Sequence, residues 1–576
     1  MVFARKMEDE LILIDNEEVT EKLKVKPNNE ADMLESVLSY VGDLGLYQKL
    51  LFLGMFPFGC FCTWLYFSQM FIAVAPQNHW CKVPELANLS IELRRNLSAP
   101  RTSTGGWEKC ITFDTNWTRI LETLTPPPEG TPMIPCQHGW EFMFDDIPYE
   151  TVASERGWVC DSASHVPTTQ AVFFIGSVVG VVLIGLLADY FGRVPALMVA
   201  NLIGGIGGIA TIYTTGVWDF VFCRFLVGMA MDNCFMIPYI LLLEYVGARY
   251  RTLVANLSTA LFYGFGSVSL PWIAYYVGDW RKVLWITSLP MFIVLPAPWL
   301  MPESVRWLVS RGRVKQAVKI LRKFEYINGT QIPDDVMDEF LISSNKSNQK
   351  AKESISTVLQ HPPLRRMMVT MALVYMGCAI VFDGLVRMSD SFGLDYFITF
   401  TFTSATMIPA ILILAVILDR WGRRNLTCGP LTLAGIFTSI AVFAPKGIIQ
   451  ASFAIIARFF MDMSFTTAVQ WSTEILPTPF RASGTSALHM SGFAATILTP
   501  FIVYSERIWA VLPLIIFCLT AFFTAGLSLT LPETKGLAMP QTIADGERII
   551  REHSLCGKPE NTDEEDPYYK KSINKD

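Results

Sequence analysis

Twelve separate apolar runs, each about 20 residues long, constrain this chain more than any other feature of its sequence. A helix of that length matches the hydrocarbon thickness of a bilayer, where every backbone polar group must find a partner within the protein. A membrane β-barrel would instead need alternating segments of about ten residues. The runs lie near 49–75, 166–188, 195–214, 217–243, 253–277, 283–301, 367–387, 396–418, 425–444, 447–471, 482–504 and 509–531. The sequence therefore predicts an all-α membrane protein with twelve transmembrane helices.

The composition excludes a water-soluble domain of this size. Of 576 residues, 51% are hydrophobic and only 17% are charged. Residues 1–47 are polar and acidic without a cleavable apolar core, so we expect the first helix to direct its own insertion. The net charge of -6 comes largely from the acidic tails, and it gives no indication of nucleic-acid binding.

The distribution of Lys and Arg predicts the orientation of the chain. If twelve helices alternate, the arginine-bearing short links and the basic segment 302–366 share one side, which the positive-inside rule assigns to the cytosol. Both termini then lie in the cytosol, and we expect a multi-pass protein of the plasma membrane. The predicted divisions are a cytosolic segment 1–48, a six-helix half 49–301, a cytosolic helical linker 302–366, a second six-helix half 367–531 and a cytosolic tail 532–576.

A large segment, 76–165, separates the first two predicted helices on the opposite, extracellular side. Its four cysteines and three glycosylation sequons are Cys81, Cys110, Cys136, Cys160, Asn88, Asn96 and Asn116. An even number of cysteines beside sugar acceptors indicates two disulfides in an oxidising compartment. The spacing leaves their connectivity open, and free thiols are the alternative.

An internal duplication shifts matching residues by 230 positions. The link Asp189-Tyr-Phe-Gly-Arg193 recurs as Asp419-Arg-Trp-Gly-Arg423, and a Glu and Arg pair recurs with the same shift. Charges repeated at one membrane face favour ion pairs that break and re-form as two halves change packing, whereas topology anchors are the alternative. The predicted gating residues are Asp189, Arg193, Glu244, Arg251, Asp419, Arg423, Glu474 and Arg481.

Ionisable residues within the apolar runs are candidates for a substrate site between the halves. Asp232 has no cation at helical spacing, and an uncompensated carboxylate there costs about 2.5 to 3.5 kcal/mol, which favours a role as counter-charge to a cationic substrate. Asp383 has Arg387 at i+4, so substrate contact and a structural pair are equally consistent with the sequence. Asp462 follows Arg458 at the same spacing, which favours an internal pair.

Other residues in the runs give weaker indications. His489 could titrate near neutral pH, although a lone membrane histidine is more often a packing residue. The faces of aromatic rings attract ammonium groups. Phe400 is one of several aromatic residues at positions expected to face inward. The chain lacks an ATP-binding loop, a metal-spaced His and Cys set and a nucleophile with its base. It predicts no enzyme, cofactor or metal, and transport driven by gradients instead.

Several stretches carry a resemblance that covers nearly the whole chain. The matching stretches include Pro135-Cys-Gln-His-Gly-Trp140, Trp158-Val-Cys-Asp161, Ala188 to Arg193, Pro302-Glu-Ser-Val-Arg-Trp-Leu308, Asp419 to Arg423 and Leu531-Pro-Glu-Thr-Lys-Gly536. The chain resembles a major facilitator superfamily transporter and, more narrowly, solute carrier family 22. The cysteine-bearing first loop is the narrower signal, because sugar porters share the Asp-x-x-Gly-Arg links.

The resemblance implies alternating-access movement of small charged organic molecules across a lipid bilayer. It implies substrate contacts at Tyr66, Asp232, Phe235, Tyr375, Phe382, Thr466, His489 and Phe493, with Asp383 added as a candidate. Relatives commonly hold charges where this chain has Met407 and Phe493, and a basic residue where it has Asp232. This departure favours an organic cation or amine-bearing zwitterion, and insect relatives that move carcinine or β-alanine suggest candidates.

Two alternatives follow from other features. Arg387 and Arg458 favour an organic anion or carnitine-like zwitterion transporter, and the acidic tail would suit a sensor without net flux. The two intact links argue against the sensor, since a protein that does not move would not need both. The oligomeric state is left open.

Overall fold

Long helices dominate the computed structural model of the chain. It describes residues 30–102, 106–128, 130–346, 360–477, 480–537, 539–540 and 542–553. Within these residues, ten helical segments are long and apolar enough to cross a membrane. They are Leu46–Ile72, Cys160–Phe191, Arg193–Ile212, Val217–Tyr245, Tyr250–Val277, Pro362–Asp390, Tyr396–Leu418, Arg423–Phe443, Ile448–Ile475 and Ser483–Arg507. The prediction of an all-α membrane protein is confirmed.

Two of the twelve predicted runs form shorter elements. The run 283–301 is divided into the helix Trp280–Ser288, a 3₁₀ turn Leu289–Val294 and the helix Ala297–Leu300. Pro290, Pro296 and Pro298 lie in it, and a proline has no N–H to continue a helical ladder. The last run contains the 17-residue helix Leu512–Ser528.

Some of the long segments contain breaks. The segment Val217–Tyr245 consists of Val217–Met231 and Asn233–Tyr245, with Asp232 at the junction. Four other long segments are also divided. The first consists of Ala248–Ser258, the π-helical turn Thr259–Tyr263 and Gly264–Val277, and the second of Pro362–Arg387 and the 3₁₀ turn Met388–Asp390. The third consists of Tyr396–Ala405 and Met407–Trp421, and the fourth of Arg481–Thr496, Thr499–Tyr504 and the 3₁₀ turn Ser505–Arg507. The remaining helices are Glu30–Val41, Ile91–Ser98, Trp117–Thr123, Val152–Glu155, Val305–Ser310, Val314–Asn328, Asp334–Lys346 and Ile543–His553.

The duplicated links reverse the chain at glycine. Gly192 has φ 113° and Gly422 has φ 83°, a region that L side chains rarely adopt. One helix ends directly before each glycine and the next begins directly after it. The tight reversal predicted from the sequence therefore depends on these two residues.

The smaller of two compact units comprises Met1–Leu53, Ile240–Val254 and Pro302–Ala351. Asn328 ends the helix Val314–Asn328, and its Nδ2 donates to the Val41 carbonyl at 3.0 Å and to Gln48 Oε1 at 2.9 Å. Its Oδ1 accepts from the Tyr47 amide at 2.8 Å. Asn328 also begins a sequon, but here its side chain is occupied in packing the unit.

The larger unit comprises Gly54–Tyr239, Ala255–Met301 and Lys352–Asp576. Helices His165–Phe191 and Val217–Met231 pack backbone to backbone, since a Cβ at Gly228 would lie 2.0 Å from the Phe173 carbonyl oxygen. Buried residues of the helices Pro362–Arg387, Arg423–Phe443, Ile448–Ile475, Arg481–Thr496 and Leu512–Ser528 share one hydrophobic core. Helices from the two copies of the duplication contact each other in two places. Gly264–Val277 packs on Tyr396–Ala405, and His165–Phe191 packs on Arg481–Thr496.

The segment 76–165 contains two small two-stranded antiparallel sheets. The strands are β1 His79–Cys81, β2 Ile111–Phe113, β3 Met133–Pro135 and β4 Trp140–Phe142, with β1 paired to β4 and β2 to β3. Disulfides join Cys81 to Cys136 and Cys110 to Cys160. The two predicted disulfides are thereby confirmed, and their connectivity is settled. Asn88, Asn96 and Asn116 are all exposed.

Contacts tie this segment to the beginning of the helix Trp280–Ser288. The Arg281 guanidinium donates two hydrogen bonds to the Glu155 carboxylate, at 2.7 and 2.6 Å, and Trp280 Nε1 donates a third at 2.8 Å. The hydrogen bonds from Arg281 hold the pKa of the Glu155 carboxyl below its ordinary value. A depressed acid pKa means that this contribution to stability is present near neutral pH and is lost as the pH falls through the folded-state pKa.

Candidate functional site

A buried ion pair joins two residues on one face of the helix Pro362–Arg387. Arg387 Nε lies 2.6 Å from Asp383 Oδ2, and both side chains are almost fully buried. The Tyr66 hydroxyl donates to Asp383 Oδ1 at 2.8 Å, and Arg387 Nη1 donates to Gln170 Oε1 at 2.7 Å. Both oxygens of this carboxylate have donors, so the pair is neutral and also links helices from both copies of the duplication.

A second pair has the same i,i+4 spacing. Arg458 Nε lies 2.9 Å from Asp462 Oδ1, and Thr406 Oγ1 donates to the other carboxylate oxygen at 2.7 Å. The Arg458 guanidinium lies 3.6 Å from the centroid of the Phe382 ring and also donates to the Phe382 carbonyl. This pair is also neutral.

Asp232 differs from both pairs. Its side chain is partly accessible, and among the described residues no cation or hydrogen-bond donor contacts its carboxylate. Cys62 Sγ lies 4.0 Å from the sulfur of Met231, the residue before Asp232. Whereas Asp383 and Asp462 each have an arginine partner, Asp232 has no cation partner among the described residues.

Aromatic rings surround these polar groups. The Tyr375 hydroxyl lies 3.3 Å from both ring nitrogens of His489, and the Tyr375 ring lies 5.4 Å from the ring of Phe465. Phe465 also stacks on Phe382 at 4.7 Å between centroids. A separate stack joins Phe235 to Tyr239, at 5.5 Å.

The structure does not bring every predicted site residue into this cluster. Thr466 and Phe493 are half-buried, and no polar or ring contact joins their side chains to the groups above within the described ranges. The cluster also contains residues that the sequence analysis did not select. These include Gln170, Thr406 and Phe465. Gln170 is the one with a sequence signal, because an uncharged polar residue stands out in an apolar run.

The predicted gating residues show the duplication in their hydrogen bonds. Ser304 Oγ donates to Glu244, and Thr534 Oγ1 donates to Glu474 at 2.8 Å, so residues 230 positions apart make the same bond. Glu474 also pairs with Arg423 at 2.9 Å.

The other gating residues are placed individually. Arg193 Nη1 lies 2.8 Å from Asp189 Oδ1. Arg251 Nη2 donates to the Val246 carbonyl at 3.5 Å. Arg481 is half-buried, and its Nε and Nη2 contact no partner in the described part of the chain. The side chain of Asp419 lies outside the described residues.

Residues 140–542 match the family model described as sugar (and other) transporter. The chain is 30% identical over 540 residues to the carcinine transporter of Drosophila melanogaster, covering 90% of this chain and 80% of that protein. It is 29% identical to the β-alanine transporter of the same organism, with 91% and 90% covered. Identity to solute carrier family 22 member 1 of Oryctolagus cuniculus is 28%, with 90% and 96% covered.

Solved structures with the same fold include two of XylE. The partially occluded inward open conformation of the xylose transporter XylE from E. coli gives a TM-score of 0.55 at 17% identity, covering 87% of this chain and all of that one. The proton:xylose symporter XylE bound to 6-bromo-6-deoxy-D-glucose gives 0.53 at 18% identity, covering 70% and 91%. At these identities the likeness establishes the helical major facilitator fold alone.

Proposed function

From the premise that the chain belongs to the sugar (and other) transporter family, within the major facilitator superfamily, we propose that it is a secondary transporter of small organic cations or amine-bearing zwitterions. The names of two of its relatives suggest carcinine-like amines and β-alanine-like zwitterions as the first compounds to test.

The observation that carries this proposal is the carboxylate of Asp232. A charge without a counter-ion is costly in a membrane and is retained where it serves a function. Asp383 and Asp462 already have arginine partners, so a cationic substrate would supply the counter-charge to Asp232 alone. Phe235, on the same helical segment, offers a ring face to an ammonium group.

The remaining predicted site residues are assigned roles around this charge. Tyr375 and His489 form the nearby polar wall, and Phe382 covers the paired Arg458. The hydrogen bond from Tyr66 to Asp383 and the ion pair of Asp383 with Arg387 stabilise this wall. Thr466 and Phe493 remain proposed contacts of a bound substrate.

We propose a twelve-crossing topology around this site. The halves are 49–301 and 367–531, joined by the helical linker 302–366, with the broken segment 283–301 and the helix Leu512–Ser528 completing the count. The disulfide-bonded segment 76–165 would be extracellular and glycosylated at its exposed sequons. Segments 1–48 and 532–576 would then lie in the cytosol of a plasma-membrane protein.

The duplicated charges are proposed to close the cytosolic side in one state of an alternating-access cycle. Loss of the Glu474 charge removes the ion pair to Arg423, and a charge-assisted bond contributes about 1.5 to 3 kcal/mol. We therefore expect Glu474→Gln to lower the maximal uptake rate about ten-fold, as one conformation becomes over-populated. Initial rates normalised to surface protein measure this effect. Glu244→Gln is the repeat-related variant, and wild-type rates in both variants would contradict the gating role.

The function itself is tested by uptake into expressing cells with the membrane potential clamped. We expect saturable uptake of a cationic tracer such as histamine or carcinine, with competition by other amines and none by organic anions. Anion uptake with no cation competition would replace this proposal with an anion transporter. Ligand binding without any flux would indicate a sensor.

A further inference from the structure

Strong contacts fix the segment 76–165 to the first copy of the duplication. The Glu155 carboxylate accepts three hydrogen bonds, two of them from the Arg281 guanidinium at 2.7 and 2.6 Å. Thr151 is fully buried, and its Oγ1 donates to the Val74 carbonyl at 2.7 Å. Hydrogen bonds between charged groups are roughly twice as strong as neutral ones, so the bonds from Arg281 are the strongest of this set.

The same segment is also tied to the turn between two helices of the first copy. Arg156 Nη1 donates to the Gly216 carbonyl at 2.7 Å, and its Nη2 donates to Thr214 Oγ1 at 2.9 Å. Trp158 is buried, with its ring edge-on to the ring of Phe220 at 5.3 Å between centroids. Contacts with three separate parts of the first copy therefore fix the orientation of the segment on it.

A second set of contacts joins the segment to the second copy. Gln77 Nε2 donates to the Asp390 carbonyl at 2.7 Å, and Arg507 Nη1 donates to the Cys160 carbonyl at 3.4 Å. Asp390 and Arg507 are each the last residue of a spanning helical segment. These two hydrogen bonds therefore connect the segment to helix ends on the side proposed to be extracellular.

Tyr149 makes a third contact, at a point where the two copies meet. Its ring lies 6.2 Å from the ring of Phe397, the second residue of the helix Tyr396–Ala405. Its hydroxyl donates to the Phe71 carbonyl at 3.1 Å, and the rings of Phe71 and Phe397 stack at 5.9 Å. One residue of the segment therefore contacts both copies where their aromatic residues pack together.

The two sets of contacts differ in strength. Within the part of the chain that the structure describes, no ion pair joins the segment 76–165 to the second copy. Its two hydrogen bonds with that copy end on backbone carbonyls and are exposed to solvent, whereas Glu155 and Arg281 form an ion pair with two hydrogen bonds. When two bodies rotate apart, the weaker contacts break first. We therefore expect the segment to stay on the first half and to separate from the second.

Resting on the proposed transport cycle and topology, we propose that the segment 76–165 is an extracellular latch that holds the outer side of the transporter closed. It moves as one body with the first half, because its two disulfides cross-link it. Its contacts with Asp390, Phe397 and Arg507 break when the halves rotate apart to admit substrate from outside.

A double variant tests whether the latch keeps the outer side closed. Gln77→Ala with Arg507→Ala removes both hydrogen bonds to the second half. In a parent protein that carries Phe493→Cys at a half-buried position, labelling by a membrane-impermeant thiol reagent added outside cells reports opening. We expect the labelling rate to rise about ten-fold, the effect of losing two such hydrogen bonds on the population of the open state. Gln137→Ala with Arg119→Ala changes exposed residues of the same segment and should label at the parent rate.

A tether tests the opposite change. Gln77→Cys with Ser391→Cys, at the residue after Asp390, places two thiols that a short bifunctional reagent can join, and mass spectrometry verifies the link. We expect the linked protein to lose nearly all uptake, because its outer side cannot open. The same variant treated with a monofunctional reagent should keep its uptake.

The outcomes separate the latch from the proposed function. If the wild type takes up no tested cation, the transport proposal fails, whereas labelling still tests the latch because it needs no substrate. Equal labelling of the parent and of Gln77→Ala with Arg507→Ala, including no labelling of either, would overturn the latch. Continued uptake through a verified link would also overturn it. Failure of the two cysteines to be joined would do the same, since the contact at Asp390 would then not form.

Discussion

Replacement of Asp232 by asparagine is expected to remove most saturable cation uptake while leaving the fold intact. The two side chains have nearly the same shape, so the variant removes a charge and little packing. A unit charge about 4 Å from a bound ammonium contributes on the order of 4 kcal/mol at an effective dielectric constant of 20. Part of that energy offsets desolvation of the ligand, and we expect a 30- to 300-fold fall in kcat/KM, about 2 to 3.4 kcal/mol.

The same substitution has the opposite expected effect on stability. Because no cation in the described residues pairs with Asp232, its neutral replacement relieves an uncompensated charge, and the thermal midpoint of the purified protein should stay constant or rise. Uptake normalised to surface protein and thermal unfolding in one detergent measure the two effects. Asp232→Glu should retain part of the uptake. Unchanged uptake in Asp232→Asn would remove the counter-charge role, and a collapse in stability would indicate a structural carboxylate.

Much of the architecture could be predicted because a bilayer imposes a simple rule on length and hydrophobicity. Within the described residues, ten of the apolar runs form helices long and apolar enough to cross a membrane, and the glycines of the duplicated links reverse the chain. The run 283–301 is divided into short elements, and its prolines explain why. Hydropathy counts apolar side chains, whereas Pro290, Pro296 and Pro298 act through the missing backbone donor.

The candidate site could be predicted only where its contacts are local. The pairs Asp383 with Arg387 and Asp462 with Arg458 follow from four-residue spacing on a helix. The Tyr66 donor to Asp383 lies 317 residues away in the sequence, and no periodic pattern indicates such a contact. For the same reason the even number of cysteines predicted two disulfides but not which residues they join.

The π-turn had no sequence signal that helical periodicity could detect. Thr259 to Tyr263 belong to an apolar run that fits a regular helix equally well. The extra residue is accommodated because Cys60 and Thr63 on another helix hold the carbonyls that it displaces. Tertiary contacts therefore decide where the turn lies, and periodicity in the sequence does not show them.

Replacement of Arg387 by methionine is expected to be the most destabilising change in the site. The variant leaves the Asp383 carboxylate buried with the Tyr66 hydroxyl as its remaining donor in the described residues. Breaking a buried ion pair by removing one partner costs about 3 to 5 kcal/mol, because the other charge stays in a medium of low dielectric constant. We expect a large fall in the thermal midpoint and in the fraction of protein that reaches the cell surface.

A double variant separates the charge from the packing. Arg387→Met combined with Asp383→Leu removes both charges, and such replacements of buried pairs are often neutral or stabilising. We therefore expect the double variant to recover most of the thermal midpoint lost in Arg387→Met. Arg548→Met is the control, since Arg548 is largely exposed and its ion pair with Asp545 should contribute no measurable stability. A double variant as unstable as Arg387→Met would mean that the hydrogen bonds to Tyr66 and Gln170, and not the balance of charge, hold these helices together.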